Sequence, residues 1–368
     1  MGMLTTGTWC SSATPPSTTS PEAGKALDSI SVAGRRSGDG ALAEAVLQAV
    51  HYADIFDYPL RVDEIHRALT ASSPRLRHTR AAMAALLQQG ELACGRGFYH
   101  LPGRENLVAI RQRRASIAVA LWREAPRYGR LIAALPFVRM VAVTGALAVE
   151  NTEPDDDIDL LIVTTPGRLW LCRLLVILVV LCARWRGRTL CPNYLLTTSA
   201  LALREQSLFT ARELLQMVPL FGPEVYEQML SQNRWIQRFQ PQARPRHRAA
   251  NIRLRRAAAS AKAAAEWLLR QRLFDRLERW EMARKVDKFE RLAADRGGSV
   301  RFGADECKGH FEGHDQRILA EWRWRLGQLD NPGAAGESTV VAAPLAGNSN
   351  SPSPLASAIP VNLSRGRR

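Results

Sequence analysis

The sequence predicts an α+β protein: a mixed sheet under helical cover at the centre, a small helical unit before it and a helical region after it. Three observations lead there. The β-branched run FVRMVAVTG, Phe137 to Gly145, then DIDLLIVTT, Asp157 to Thr165, and TLCPNYLLTT, Thr189 to Thr198, read as three strands. Between the second and third lies LWLCRLLVILVVLCAR, Leu169 to Arg184, a helix by length and composition. On either side of this block apolar residues recur every three or four positions, the helical period.

Taken in order, residues 1–40 are rich in Ser, Thr, Gly and Pro, and 331–368 repeat the bias, so both ends are expected to be disordered. Residues 41–103 form the first folded unit. Leu42, Val46, Leu47 and Val50 lie at helical spacing, and Val62, Ile65 and Leu69 do so again after the turn DYPLR. A third helix opens at Ser73 and Pro74, carries Leu76, Met83, Leu86 and Leu87 inward and stops at Gly90. ELACGRGFYHL then gives two short strands around Gly95-Arg96-Gly97. Three helices and a hairpin resemble a winged helix. That resemblance implies a third helix offered to a DNA groove, and it begins with Arg75, Arg77, His78 and Arg80; winged helices also serve as protein-interaction modules.

Residues 104–136 read as connecting helices, 137–202 as the sheet-bearing core and 203–330 as helical throughout. Leu269, Leu273, Leu277, Trp280, Ala283, Val286, Phe289 and Leu292 are expected on one packed helix face. The uninterrupted apolar run of Leu174 to Ala183 is ten residues long, about half of the ~20 needed to cross a bilayer, so this helix is expected to be buried, with no membrane partner. The first 30 positions hold no charged start followed by an apolar run, and the six cysteines show no CxxC pair; a reducing cytoplasm is expected. Cys307, His310 and His314 lie close together but are too few for a zinc framework.

Net charge is +15, which points to a polyanionic partner, although only five of the 50 basic residues are lysine. Eight arginines and no acid fall between Arg234 and Arg256, a stripe that reads either as a solvated helical surface or as a contact for phosphate or nucleic acid.

The chemistry concentrates in VAVTGALAVENTEPDDDIDLLIV, Val141 to Val163, where Asp155, Asp156, Asp157 and Asp159 abut a buried-looking run. In a strand Asp157 and Asp159 share one face, roughly 7 Å apart, while Ile158 points into the core. Two such carboxylates are comfortable together only with a cation between them, and hard oxygen ligands at a sheet edge suit Mg²⁺, which completes its shell with water and substrate phosphates. Gly145 permits close backbone approach at the following helix start, a place for phosphate. The alternative is an acidic turn whose carboxylates pair with Arg139 or Arg168; Arg168 could instead hold a triphosphate.

These residues resemble the nucleotidyltransferase superfamily with the DNA polymerase beta fold, in which a strand ends in Gly-Ser or Gly-Gly and about ten residues later comes Asp-hydrophobic-Asp. Here Gly145-Ala146, ten intervening residues and Asp157-Ile158-Asp159 match. More broadly, FDYPL, RMVAVTG, DDDIDLLIVT, GRLWL and CPNYLL look like a bacterial family of nucleotidyltransferase-domain proteins over roughly residues 41 to 330. The resemblance implies a nucleotidyltransferase-type mixed sheet and transfer of a nucleoside monophosphate from a nucleoside triphosphate to an acceptor hydroxyl. It implies two Mg²⁺ ions on Asp157 and Asp159, with Thr144, Gly145 and Ala146 lining the triphosphate turn. Two departures stand out. Ala146 replaces Ser or Gly, and the third strand lacks the third carboxylate of active members, Asn193 being its only carboxamide. An acid from outside the motif, such as Glu205 or Glu213, could complete the site; the acceptor could react without a protein base; or the site could bind nucleotide, or the chain nucleic acid, as a regulator without turnover.

Overall fold

A computed structural model of the protein describes residues 39–70, 73–245, 251–296, 301–308 and 314–330. The compositionally biased ends therefore lie outside the described residues, apart from 39 and 40, which open the first helix. Helices α1 (Asp39–Asp54), α2 (Val62–Ala68) and α3 (Leu76–Gln88) pack together, and strands β1 (Ala93–Gly95) and β2 (Phe98–His100) close the unit. Arg96 and Gly97 both have positive φ, as a two-residue hairpin turn with native twist requires. Val46, Ile65, Leu69, Met83 and Leu86 form its core. Leu87, expected inward, is exposed. Thr79 takes the inward place, because Thr79, Met83 and Leu86 follow spacings of four and three along one stripe while Leu87 falls beside it. Arg75, Arg77, His78 and Arg80 are all exposed.

The connecting segment is one helix, α4 (Leu107–Ala133), which leads into the sheet. The three expected strands are β3 (Val138–Val143), β4 (Ile158–Thr164) and β5 (Leu190–Thr197), with α5 (Gly145–Ala148) after β3 and α6 (Leu169–Trp185) between β4 and β5. β3 and β4 run antiparallel; β4 and β5 run parallel, as a helical crossover demands. Both faces of the sheet are covered. Val141, Val143, Leu160 and Ile162 pack under α4 and α6, whereas Met140, Ala142, Leu161 and Val163 face the opposite helical layer. That period of two explains why β3 and β4 read as continuous apolar runs without alternation.

The expectation of an entirely helical chain beyond 203 is corrected. After α7 (Leu208–Gln216) comes β6 (Val218–Phe221), then α8 (Pro223–Gln232), α9 (Ile236–Phe239), α10 (Arg256–Leu269), α11 (Arg272–Arg296), β7 (Arg301–Phe302), β8 (Glu306–Lys308) and α12 (His314–Asp330). The three late strands join the sheet, whose order is β6-β3-β4-β5-β8-β7. A four-residue apolar run cannot announce its period, and Pro219 lowers its strand signal while being tolerated at a sheet edge.

The single face through Leu269 and Leu292 is corrected too. The helix breaks between Leu269 and Arg272, and Leu273 and Trp280 are 69% and 58% exposed. Of the expected face Leu269, Leu277 and Val286 do pack against the core, joined by Phe274 and Met282, while Ala283 is exposed; the side chains of Phe289 and Leu292 lie outside the described residues. Glu278 on α11 accepts hydrogen bonds from Trp170 N at 2.9 Å and Leu171 N at 2.7 Å, so a distant carboxylate caps the start of the apolar helix α6. Among the described residues no helix is long and apolar enough to cross a membrane.

The N-terminal unit is fastened to the core by polar contacts at its rim. The Tyr58 hydroxyl donates to Val149 O at 2.9 Å, Asn151 Nδ2 donates to Phe56 O at 3.0 Å, and Arg111 pairs with Glu64 at 3.0 Å in a buried setting. On the other side Trp322 Nε1 of α12 donates to Gln48 O at 3.1 Å. An open cleft remains between these attachments.

Candidate functional site

Antiparallel pairing is what brings Gly145 to Asp159. Val143 lies opposite Leu160, so the next residue of each strand toward the loop meets in turn: Thr144 N donates to Asp159 O at 3.0 Å. Gly145 follows with φ +64°, and a Cβ placed there would stand 2.3 Å from Asp159 Oδ2. Only glycine lets the turn lie against that carboxylate.

Asp159 is also held from β5. The β4–β5 register pairs Asp159 with Cys191 but Leu161 with Tyr194, so β5 carries an extra residue around Pro192 and Asn193. Asn193 Nδ2 donates to Asp159 Oδ1 at 2.7 Å. Burial, followed by the charges of Asp157, Glu213 and Asp156, pushes the Asp159 carboxyl up to about 7 against this hydrogen bond. Asp157 sits just before β4, half-buried. Burial raises its pKa as well, reinforced by Asp156 and opposed by a hydrogen bond from Thr189. The arginine-paired alternative is set aside, because Arg139 pairs with Glu266 at 2.8 Å and Arg168 with Asp275 at 2.6 Å. Arg168 is thereby engaged away from any triphosphate.

Asp159, Gly145, Ala146 and Asn193 line a cleft of about 360 Å³, within the size range of small-molecule sites. Its other walls come from the N-terminal unit, with Tyr52, Phe56 and Tyr58, and from α7, with Phe209, Arg212 and Glu213. Asp157 is not among the lining residues. Thr144 lines a smaller recess of about 40 Å³, which shares Asn193 and Glu213 with the main cleft and is also lined by Glu205 and Lys308. The structure thus brings Gly145, Ala146 and Asp159 into one cavity, with Thr144 in the adjoining recess and Asp157 outside both linings.

Glu213 and Glu205, the two outside acids, part company here. Glu213 reaches the main cleft; burial, aided by Glu205 and Asp315 and opposed by Lys308, pushes it up to about 7. Glu205 is occupied by Lys308 at 2.9 Å. Asp159 and Glu213 in the cleft, and Asp157 outside its lining, therefore all hold protons more tightly than free carboxyls do, chiefly because of burial. Among the described residues no three His, Cys, Asp or Glu side chains are grouped as a metal cage. A pair of carboxylates still fits Mg²⁺, which takes few protein ligands. Of the weak zinc candidates, His310 lies outside the described residues and Cys307 is buried in β8.

Arg212 and the wall offered by α1 were not legible as site residues. Phe56, Tyr58 and Leu60 do lie in FDYPL, one of the stretches that carried the family resemblance, and all three line the cleft. Searched against family models, curated proteins and solved structures, the chain matches none.

Proposed function

We propose that the protein is a Mg²⁺-dependent nucleotidyltransferase, moving a nucleoside monophosphate from a nucleoside triphosphate to an acceptor hydroxyl. The observation that carries this reading is the contact of Gly145 with the Asp159 carboxylate inside an open cleft, where a phosphate chain can pass over the glycine beside a carboxylate-bound cation. When bound, the divalent ions would neutralise the carboxylates and offset charge developing at the transferred phosphorus.

Asp157 and Asp159 are the oxygen donors in this scheme, and Asn193 fixes the orientation of Asp159. Thr144, Gly145 and Ala146 form the turn under the phosphates, since the first-turn amides of so short a helix have no internal acceptors. Phe56, Tyr58 and Phe209 offer aromatic surface for a base. Glu213 takes the role of the absent strand acid: with a pKa near 7 its carboxylate accepts the proton of the attacking hydroxyl. The new O–P bond forms on the α-phosphorus as the bond to the bridging oxygen breaks, and pyrophosphate leaves.

A second reading, a regulator that senses nucleotide or binds nucleic acid without turnover, is favoured by one observation. Asn193, a carboxamide, stands beside Asp159 on the strand where the family resemblance implies an acid. The deciding experiment incubates purified protein with each nucleoside triphosphate and Mg²⁺. Pyrophosphate release that disappears in Asp157→Asn and Asp159→Asn supports transfer. Nucleotide-dependent stabilisation without release supports sensing, and neither response to any triphosphate refutes both transfer and nucleotide sensing.

A further inference from the structure

The cleft contains a second charged centre that the transfer scheme leaves unused. Arg212 lines it from α7 and is only 6% exposed. Its guanidinium carbon lies 3.7 Å from the centroid of the Tyr52 ring; among the described residues its one hydrogen bond, to Ala68 O, is long at 3.4 Å, and its Nε has no hydrogen-bond partner. No carboxylate among the described residues pairs with it. Glu213 is next in sequence, but a 100° step around the helix separates the two, and Glu213 is influenced by Lys308, Glu205 and Asp315. Glu64, in the same cleft, is taken by Arg111 at 3.0 Å. Burial lowers the Arg212 pKa to about 10, with the nearby Tyr52 opposing, so the group remains a cation at neutral pH.

A buried cation without a counter-charge is expensive unless a ligand supplies one. Two further arginines border the same cleft: Arg67, which shares its charge with Asp63, and the exposed Arg244. Guanidinium groups present planar forks that suit oxyanions, and an aromatic face fixes the plane of the first one. We infer that Arg212, with Arg67 and Arg244 at the rim, forms an anion site that takes a phosphate group independently of the Asp159 end of the cleft. In the transfer reading, on which the source of that group rests but the site does not, the phosphate belongs either to the triphosphate itself or to a phosphorylated acceptor.

The test uses the full chain in Mg²⁺-free buffer containing EDTA and titrates inorganic phosphate by calorimetry, with sodium chloride at matched ionic strength as the control. Saturable phosphate binding is expected, weakened about 10- to 100-fold in Arg212→Gln, the loss that follows from one charged hydrogen-bonding partner. Arg212→Lys, which keeps the charge but not the fork, should fall between the two. Should Arg212→Gln fail to fold, the rim variant Arg67→Gln/Arg244→Gln provides the reading, with an expected several-fold weakening. Asp159→Asn should leave phosphate affinity unchanged or improved. Phosphate binding absent from the wild type, or equal in the wild type and in every foldable arginine variant, overturns the proposal. If a non-hydrolysable Mg²⁺–triphosphate displaces the phosphate, the site holds the donor; if phosphate still binds, it holds a second, phosphorylated substrate. Failure of pyrophosphate release with retained Arg212-dependent phosphate binding would sink the transfer reading alone.

Discussion

Replacing Gly145 by alanine probes the junction on which the site is built. Two penalties act together. The residue has φ +64°, and holding a non-glycine residue in the left-handed region costs about 1 kcal/mol. The new Cβ would also lie 2.3 Å from Asp159 Oδ2, so the carboxylate must swing away and give up its 2.7 Å hydrogen bond from Asn193, a loss of about 2 kcal/mol for a bond to a charged group. The sum is about 3 kcal/mol in urea unfolding. Gly167→Ala is the control: φ there is +71°, but nothing lies within 4 Å of the added methyl, so only the backbone penalty of about 1 kcal/mol should appear. In an Asp159→Ala background Gly145→Ala should likewise fall to about 1 kcal/mol, a coupling of about 2 kcal/mol by double-mutant cycle. Equal effects at Gly145 and Gly167, or a cycle that closes without coupling, would refute the claim that the glycine exists to accommodate the carboxylate.

Three other outcomes follow from the same contacts. Asp159 and Glu213 both bind protons more tightly in the folded state, pushed up to about 7 from ordinary values of 3.8 and 4.5. Their contribution to stability therefore declines as pH rises between about 4 and about 7, and the penalty is complete above that window. The rise at Asp159 corresponds to about 4 kcal/mol at full burial, and solvent screening at an open cleft reduces this to about 2 kcal/mol. Urea midpoints should show Asp159→Asn gaining on the wild type between pH 5 and pH 8, and a constant difference would contradict the assignment. Glu266→Ala should destabilise by about 3 kcal/mol in the same assay, because Phe137 N and Arg139, bonded to it at 2.8 Å, would be left without their partner; a change under 1 kcal/mol would show that the pair is dispensable. For the exposed Arg75, Arg77 and Arg80 of α3, any affinity for duplex DNA should weaken steeply with salt and drop further on their replacement by glutamine. An affinity indifferent to salt would exclude binding through these arginines.

What could be seen in the sequence follows from how local each signal is. The strand, glycine, strand arrangement around Gly145 and Asp159 was visible because antiparallel pairing across a short connection converts a sequence spacing into a contact. The apolar helix Leu169–Trp185 was visible from its composition, but its cap, Glu278, comes from 108 residues further along the chain and has no local mark. β6 was hidden because four residues including Pro219 do not reveal a period, and the exposed Trp280 defeats the assumption that a heptad-like spacing is always a packed face. Arg212 was the least visible of all. Its importance arises from Tyr52, on α1, covering one face and from the lack, among the described residues, of an acid paired with it, and neither is a property of its own stretch of chain. Glu213 could be named as an acid outside the motif, but its separation from Glu205 as the one that reaches the cleft needed the fold.

Counting bound Mn²⁺, as a paramagnetic substitute for Mg²⁺, by electron paramagnetic resonance in the presence of non-hydrolysable triphosphates tests most directly whether the carboxylates grip a metal and a phosphate tail together. Two ions per chain are expected with nucleotide present, reduced in Asp157→Asn and abolished in the double variant Asp157→Asn/Asp159→Asn. Mn²⁺ binding that is unchanged in the double variant, or absent from the wild type with every triphosphate, would contradict that expectation.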